Sequence, residues 1–77
     1  MKYIIEAFDK ETEFLNFEVE LPDGIDTQIA EIMVWSTPPR GEEGYDLNAN
    51  QIAAIEELAG RKIYDTNNDF QLTCNID

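Results

Sequence analysis

The sequence predicts an α+β domain: an antiparallel sheet of three or four strands with two helices packed on one face. Three observations lead there. Two period-two runs, Lys2–Phe8 and Phe14–Leu21, open the chain; two helix-period apolar stripes occupy its middle; a third alternating run closes it.

In the first run Tyr3, Ile5 and Ala7 share a face, with Lys2, Ile4, Glu6 and Phe8 on the other. In the second, Leu15, Phe17, Val19 and Leu21 lie opposite Phe14, Asn16, Glu18 and Glu20. A hairpin must set apolar against apolar, because a slip of one residue turns every side chain to the wrong face. Pairing Ala7 with Leu15, Ile5 with Phe17 and Tyr3 with Val19 meets that condition and leaves Lys10-Glu11-Thr12 as a three-residue loop. Pro22-Asp23-Gly24 ends the strand as a turn.

Asp26 is placed to cap a first helix from Thr27 to about Trp35, with Ile25, Ile29, Ile32 and Met33 as its core stripe. Thr37-Pro38-Pro39 stops it, and Arg40 to Leu47 reads as a loop. Asn48 caps the second helix, with Gln51 at capping-box spacing. Ile52, Ile55, Leu58 and Ala59 form its buried stripe, Glu56 and Glu57 face water, and Gly60 supplies a left-handed C-terminal residue. Arg61 to Tyr64 reads as a short strand or an extended link, and Asp65 to Asp69 as a turn. In the last strand Phe70, Leu72, Cys74 and Ile76 point inward, while Gln71, Thr73 and Asn75 point outward. An exposed edge on that strand would allow pairing between subunits.

Seventy-seven residues fit one domain. Folding gains about 120 kcal/mol from area burial against an ordering cost of about 115 kcal/mol, which leaves little slack for a deep cofactor cavity. Seventeen acidic residues against five basic give a formal charge of −12. Such a balance disfavours DNA, RNA and anionic membranes as direct partners, because phosphates are bound by Lys and Arg. It suits a basic protein partner, and it also suits plain solubility. A single cysteine, Cys74, forms no internal disulfide, which points to a reducing cytoplasm. No apolar run approaches the roughly 20 residues of a membrane span, and Lys2 and Glu6 interrupt the N-terminus too early for a secretion signal.

Catalytic signals are missing from the sequence. It contains no histidine, a single serine (Ser36) with no base to activate it, and no glycine-rich phosphate loop. Cys74 alternates with core residues and reads as a structural thiol. Asp65-Thr66-Asn67-Asn68-Asp69 begins like a calcium loop, but Phe70 stands where the sharp-turn glycine belongs and Ile76 where the bidentate Glu belongs. The expectation is a binding protein with no catalytic site, no metal and no cofactor.

Two surfaces are candidates for binding. The outer hairpin face gathers Glu6, Glu18 and Glu20 with Asn16, and sets Phe8 opposite Phe14. Rings beside a carboxylate field match the anatomy of an interface, and equally that of a solvated face with a stabilising aromatic pair. The second surface is the loop before the second helix, where Glu42 and Glu43 lie between Gly41 and Gly44 and Tyr45 and Asp46 follow directly. There Tyr45 either inserts into a basic cleft or packs on the core edge, and Trp35 reads as a lid over the core.

The segment YIIEAFDKETEFLNFEVELPDG, followed by GYDLNANQIAAIEELAGRKI, resembles a family of small bacterial proteins encoded among toxin–immunity genes. Its anchors are Glu6-Ala7-Phe8-Asp9, Glu20-Leu21-Pro22, and Tyr45-Asp46-Leu47 leading into Gln51 and Gly60. More broadly, the size and acidity are similar to those of immunity proteins of nuclease bacteriocins and contact-dependent toxins. That resemblance implies a cytoplasmic inhibitor that occludes a basic toxin domain, its carboxylates standing in for substrate phosphates or covering a nearby exosite. The residues leave open two other readings: a DNA-mimicking inhibitor of a nucleic-acid-binding protein, in the manner of an anti-CRISPR, and a non-inhibitory adaptor domain.

Overall fold

A computed structural model describes residues 1–37 and 44–75. Its elements run β1 (Lys2–Asp9), β2 (Leu15–Glu20), α1 (Asp26–Met33), β3 (Gly44–Leu47), α2 (Ala49–Ala59) and β4 (Asn68–Asn75). The four strands form one antiparallel sheet in the order β2-β1-β4-β3. The fold is the expected α+β class.

The alternation of β1, β2 and β4 decides which face is buried. Tyr3, Ile5, Ala7, Val19, Phe70, Leu72 and Cys74 lie in one core with Ile25 and Ile29 beside and within α1 and Ile52 and Ile55 of α2. Both helices therefore cover this face. The other face carries Lys2, Ile4, Glu6, Phe8, Glu18, Glu20, Asp46, Asp69, Gln71 and Thr73, none of them buried.

From Phe17 to Leu21 the hairpin keeps the predicted faces but slides by two residues, whereas Leu15 and Asn16 do not keep theirs. Ile5 pairs with Val19 and Ala7 with Phe17, and a bulge at Asn16 then brings Leu15 opposite Phe8. The turn sets the register. Asp9 accepts the N–H groups of Glu11 at 2.8 Å and Thr12 at 3.0 Å on Oδ1, and its carbonyl accepts the Glu13 N–H at 2.8 Å. Glu13 closes the turn with φ 66°. A two-residue slide preserves inside and outside, so periodicity alone had no means of choosing.

α2 starts as predicted. The Asn48 side chain accepts the Gln51 N–H at 2.8 Å, and the Gln51 side chain accepts the Asn48 N–H at 2.9 Å. Gly60 ends it at φ 69°. α1 differs at both ends. Asp26 is its first helical residue rather than its cap, and its Oδ1 accepts the Tyr3 hydroxyl at 2.7 Å. Val34 closes it in the left-handed region at φ 57°, and the Trp35 N–H reaches back to the Ala30 carbonyl at 3.0 Å.

The fourth strand comes from Gly44–Leu47, expected as loop, and not from Arg61–Tyr64. Four residues are too few to show a period. Arg61–Tyr64 remains a link because the Glu56 Oε2 accepts the N–H groups of both Ile63, at 2.6 Å, and Tyr64, at 2.8 Å. Glu56, expected to face water, is half-buried and clamps the chain as it leaves α2. β4 lies inside the sheet, so the expected free edge on the last strand is occupied on both sides, by β1 and β3.

Candidate functional site

Strand order assembles the outer face. Glu6 on β1 stands opposite Glu18 on β2 and, on its other side, opposite Gln71 on β4; Gln71 in turn stands opposite Asp46 on β3. The result is a row, Glu18–Glu6–Gln71–Asp46, running across all four strands. Gln71 Nε2 donates to Asp46 Oδ1 at 3.3 Å. A second row places Glu20 beside Ile4 and Thr73, with the Lys2 ammonium 3.3 Å from Glu20 Oε1.

The Glu6–Glu18 pair is electrostatically frustrated. Partial burial of Glu6 and the facing Glu18 carboxylate raise the Glu6 pKa above its ordinary value of 4.5. Like charges directly opposite on a sheet destabilise it. A cation arriving at this face would relieve that repulsion.

At the lower end of the row, a half-open hollow of about 460 Å³ is lined by Phe8, Glu13, Asp46, Asp69 and Gln71, with Leu47 and Phe70 behind. Three carboxylates around an aromatic ring offer chemistry complementary to a Lys or Arg side chain. A second hollow of about 480 Å³ lies by the hairpin turn and includes Asp9, Lys10, Asn16 and Asp65. Two of its carboxylates, Asp9 and Asp65, are already engaged. Asp9 holds the turn, which lowers its pKa through the Thr12 and Glu11 N–H groups. Asp65 accepts the Asn67 N–H at 2.8 Å and the buried Asn68 amide at 2.9 Å. The turn that begins like a calcium loop is thus satisfied internally. Among the described residues no group of His, Cys, Asp or Glu side chains is arranged to hold a metal ion.

The ten residues singled out from sequence separate into groups. Glu6, Glu18, Glu20, Phe8 and Asp46 share the outer face. Phe14 does not stack on Phe8; the bulge leaves it in the turn, 77% exposed, with Leu15 opposite Phe8 instead. Asn16, turned by the same bulge, donates to Asn68 Oδ1 at 3.2 Å and leaves the carboxylate field. Tyr45 points to the helix-covered side, where its ring packs against Trp35 at 4.9 Å, so the core-edge alternative holds for it. Glu42 and Glu43 lie outside the described residues. Gln71, Asp69 and Glu13 were not singled out. The outward phase of Gln71 was legible, but only the strand order places it beside Glu6.

The sequence pattern of one domain family, described as a domain of unknown function (DUF7683), matches residues 2–73. The chain belongs to that family. The match runs through every strand and both helices, so the acidic outer face lies within the family domain. No curated protein matches the chain. Among the described residues no helix is long and apolar enough to cross a membrane.

Proposed function

We propose that this DUF7683 domain is a non-catalytic cytoplasmic immunity protein that neutralises a basic toxin domain, with a nuclease the leading candidate, by binding it through the outer sheet face. The observation that carries this reading is the carboxylate row Glu18–Glu6–Gln71–Asp46 ending in the Phe8 hollow, on the face the helices leave open. Its support is physical. A formal charge of −12 steers a basic partner at long range. The Glu6–Glu18 repulsion is held at a cost to the free protein and is relieved by a bound cation. The hollow offers an anchor position within that field.

The test is calorimetric titration into catalytically disabled basic nuclease-toxin domains, at low and high salt, alongside an assay of the active toxin. The reading expects sub-nanomolar, salt-sensitive binding and loss of toxin activity. Absence of binding would remove the cognate-toxin role. The same row favours one other reading, a DNA-mimicking inhibitor, since carboxylates spaced across a sheet resemble a line of phosphates; it is distinguished by competition with DNA for a target other than a toxin.

A further inference from the structure

β2 is a sheet edge: among the described residues β1 is its one strand neighbour. The Leu21 N–H donates to the Tyr3 carbonyl at 3.0 Å, which marks Tyr3–Leu21 as a hydrogen-bonded pair. Bonded and non-bonded pairs alternate along an antiparallel ladder. Ile5–Val19 and Ala7–Phe17 are therefore bonded pairs, and Ile4–Glu20 and Glu6–Glu18 are not. The backbone N–H and C=O groups of Glu18 and Glu20 consequently point away from β1, into the open edge. These are the same two residues whose exposed side chains border the acidic face.

Both ends of this edge are bounded. The Asn16 bulge interrupts the ladder on one side. On the other, Pro22 occupies the next outward position and has no N–H to offer. The receptive segment is thus Phe17–Leu21. Its two faces differ in chemistry: Glu18 and Glu20 line the outer side, with Glu6 behind them, while the half-buried Phe17 lies on the other, the side of the buried Val19.

We infer that this edge takes an added strand from a basic partner, with Lys or Arg opposite Glu18 and Glu20 and an apolar residue between them on the Phe17 side. The reason is register. A residue directly opposite on an antiparallel partner puts its side chain on the same face, within about 4.5–5.5 Å between Cβ atoms. Main-chain bonds then supply affinity and the alternating side chains supply selectivity. A second copy of this chain fits poorly, because antiparallel pairing of β2 with itself sets Glu18 and Glu20 against one another. The inference rests on the basic-partner reading and specifies its mode of contact.

The experiment uses the intact ¹⁵N-labelled protein and three short capped peptides: alternating Lys and Val, the same sequence N-methylated along one edge, and alternating Glu and Val. The expected result is binding of the Lys–Val peptide alone, with exchange of the Glu18 and Glu20 amides slowed about tenfold at saturation. Glu18→Pro, which removes an outward N–H and no internal ladder bond, should lower affinity about tenfold while the remaining amide spectrum is retained. Should that variant unfold, the double variant Glu18→Lys with Glu20→Lys should exchange the preference, binding Glu–Val and refusing Lys–Val. Equal binding of the N-methylated peptide, with shifts confined to Ile4, Glu6, Gln71 and Thr73, would overturn strand addition and leave the basic-face reading standing. Failure of the Lys–Val peptide to bind would overturn strand addition as well; the toxin-domain titration judges the broader reading separately.

Discussion

Replacing Glu56 with Ala should destabilise the protein without touching the proposed binding face. In the native chain one oxygen, Oε2, accepts both the Ile63 N–H at 2.6 Å and the Tyr64 N–H at 2.8 Å. Ile63 is 5% exposed, so water has little access to replace the lost acceptor there. Bonds to a charged acceptor contribute roughly 1.5–3 kcal/mol when buried. Glu56 is only half-buried and Tyr64 is exposed, so solvent screening reduces the pair to about 2 kcal/mol in total. For a domain of this size that lowers Tm by about 10 °C. Glu56→Gln retains an uncharged acceptor and should lose about half as much. The pH dependence supplies an independent check. The Tyr64 and Ile63 N–H groups hold the Glu56 pKa below its ordinary 4.5. Its contribution is therefore fully present above pH 4.5 and is lost as pH falls through the lower folded-state value. Thermal unfolding of wild type and both variants from neutral pH into acid reads all of this. The difference between wild type and Glu56→Gln should shrink as the pH falls. A Glu56→Ala variant that melts with wild type at neutral pH would show that the link is held by something else.

Other outcomes follow from the same geometry. Val34 is a β-branched residue at φ 57°, 85% exposed, so Val34→Gly should relieve strain at no packing cost, raise stability by about 1 kcal/mol, and show as a higher Tm. Asn48→Ala removes the acceptor of the Gln51 N–H and should cost about 1 kcal/mol in chemical denaturation, with an unchanged slope. Glu6→Gln should have the opposite pH signature to Glu56. A raised folded-state pKa favours folding below pH 4.5, and that advantage is lost as pH rises through the folded value; the variant should therefore gain on wild type at neutral pH and not in acid. Phe14→Ser, at a 77% exposed turn position, should leave Tm nearly unchanged.

The sequence made legible whatever depends on local periodicity and capping. The inward faces of β1 and β4, the Asn48–Gln51 capping box and the Gly60 terminus are all local, and each stands where the pattern put it. The hairpin register was not legible, because a slide of two residues keeps Ile5 and Val19 inside; the Asp9 turn and the Asn16 bulge decide it. Nor was β3, whose four residues pair, among the described residues, with β4 alone and whose Tyr45 packs on Trp35. The candidate site was half visible. Glu6, Glu18, Glu20 and Phe8 follow from β-strand alternation, but their union with Gln71, Asp46 and Asp69 depends on β4 inserting between β1 and β3. That insertion is a long-range choice. Side-chain phase along a single strand carries no information about it.

The most direct test of the central proposal, that the open sheet face receives a basic partner, is the amide spectrum of the labelled protein titrated with a catalytically disabled toxin domain. The account predicts shifts and line broadening at Ile4, Glu6, Phe8, Glu18, Glu20, Asp46 and Gln71, with the outward residues of α1 and α2 unmoved. Perturbation concentrated on Glu31, Ala53 and Glu57 of the helices, with the sheet face silent, would contradict it.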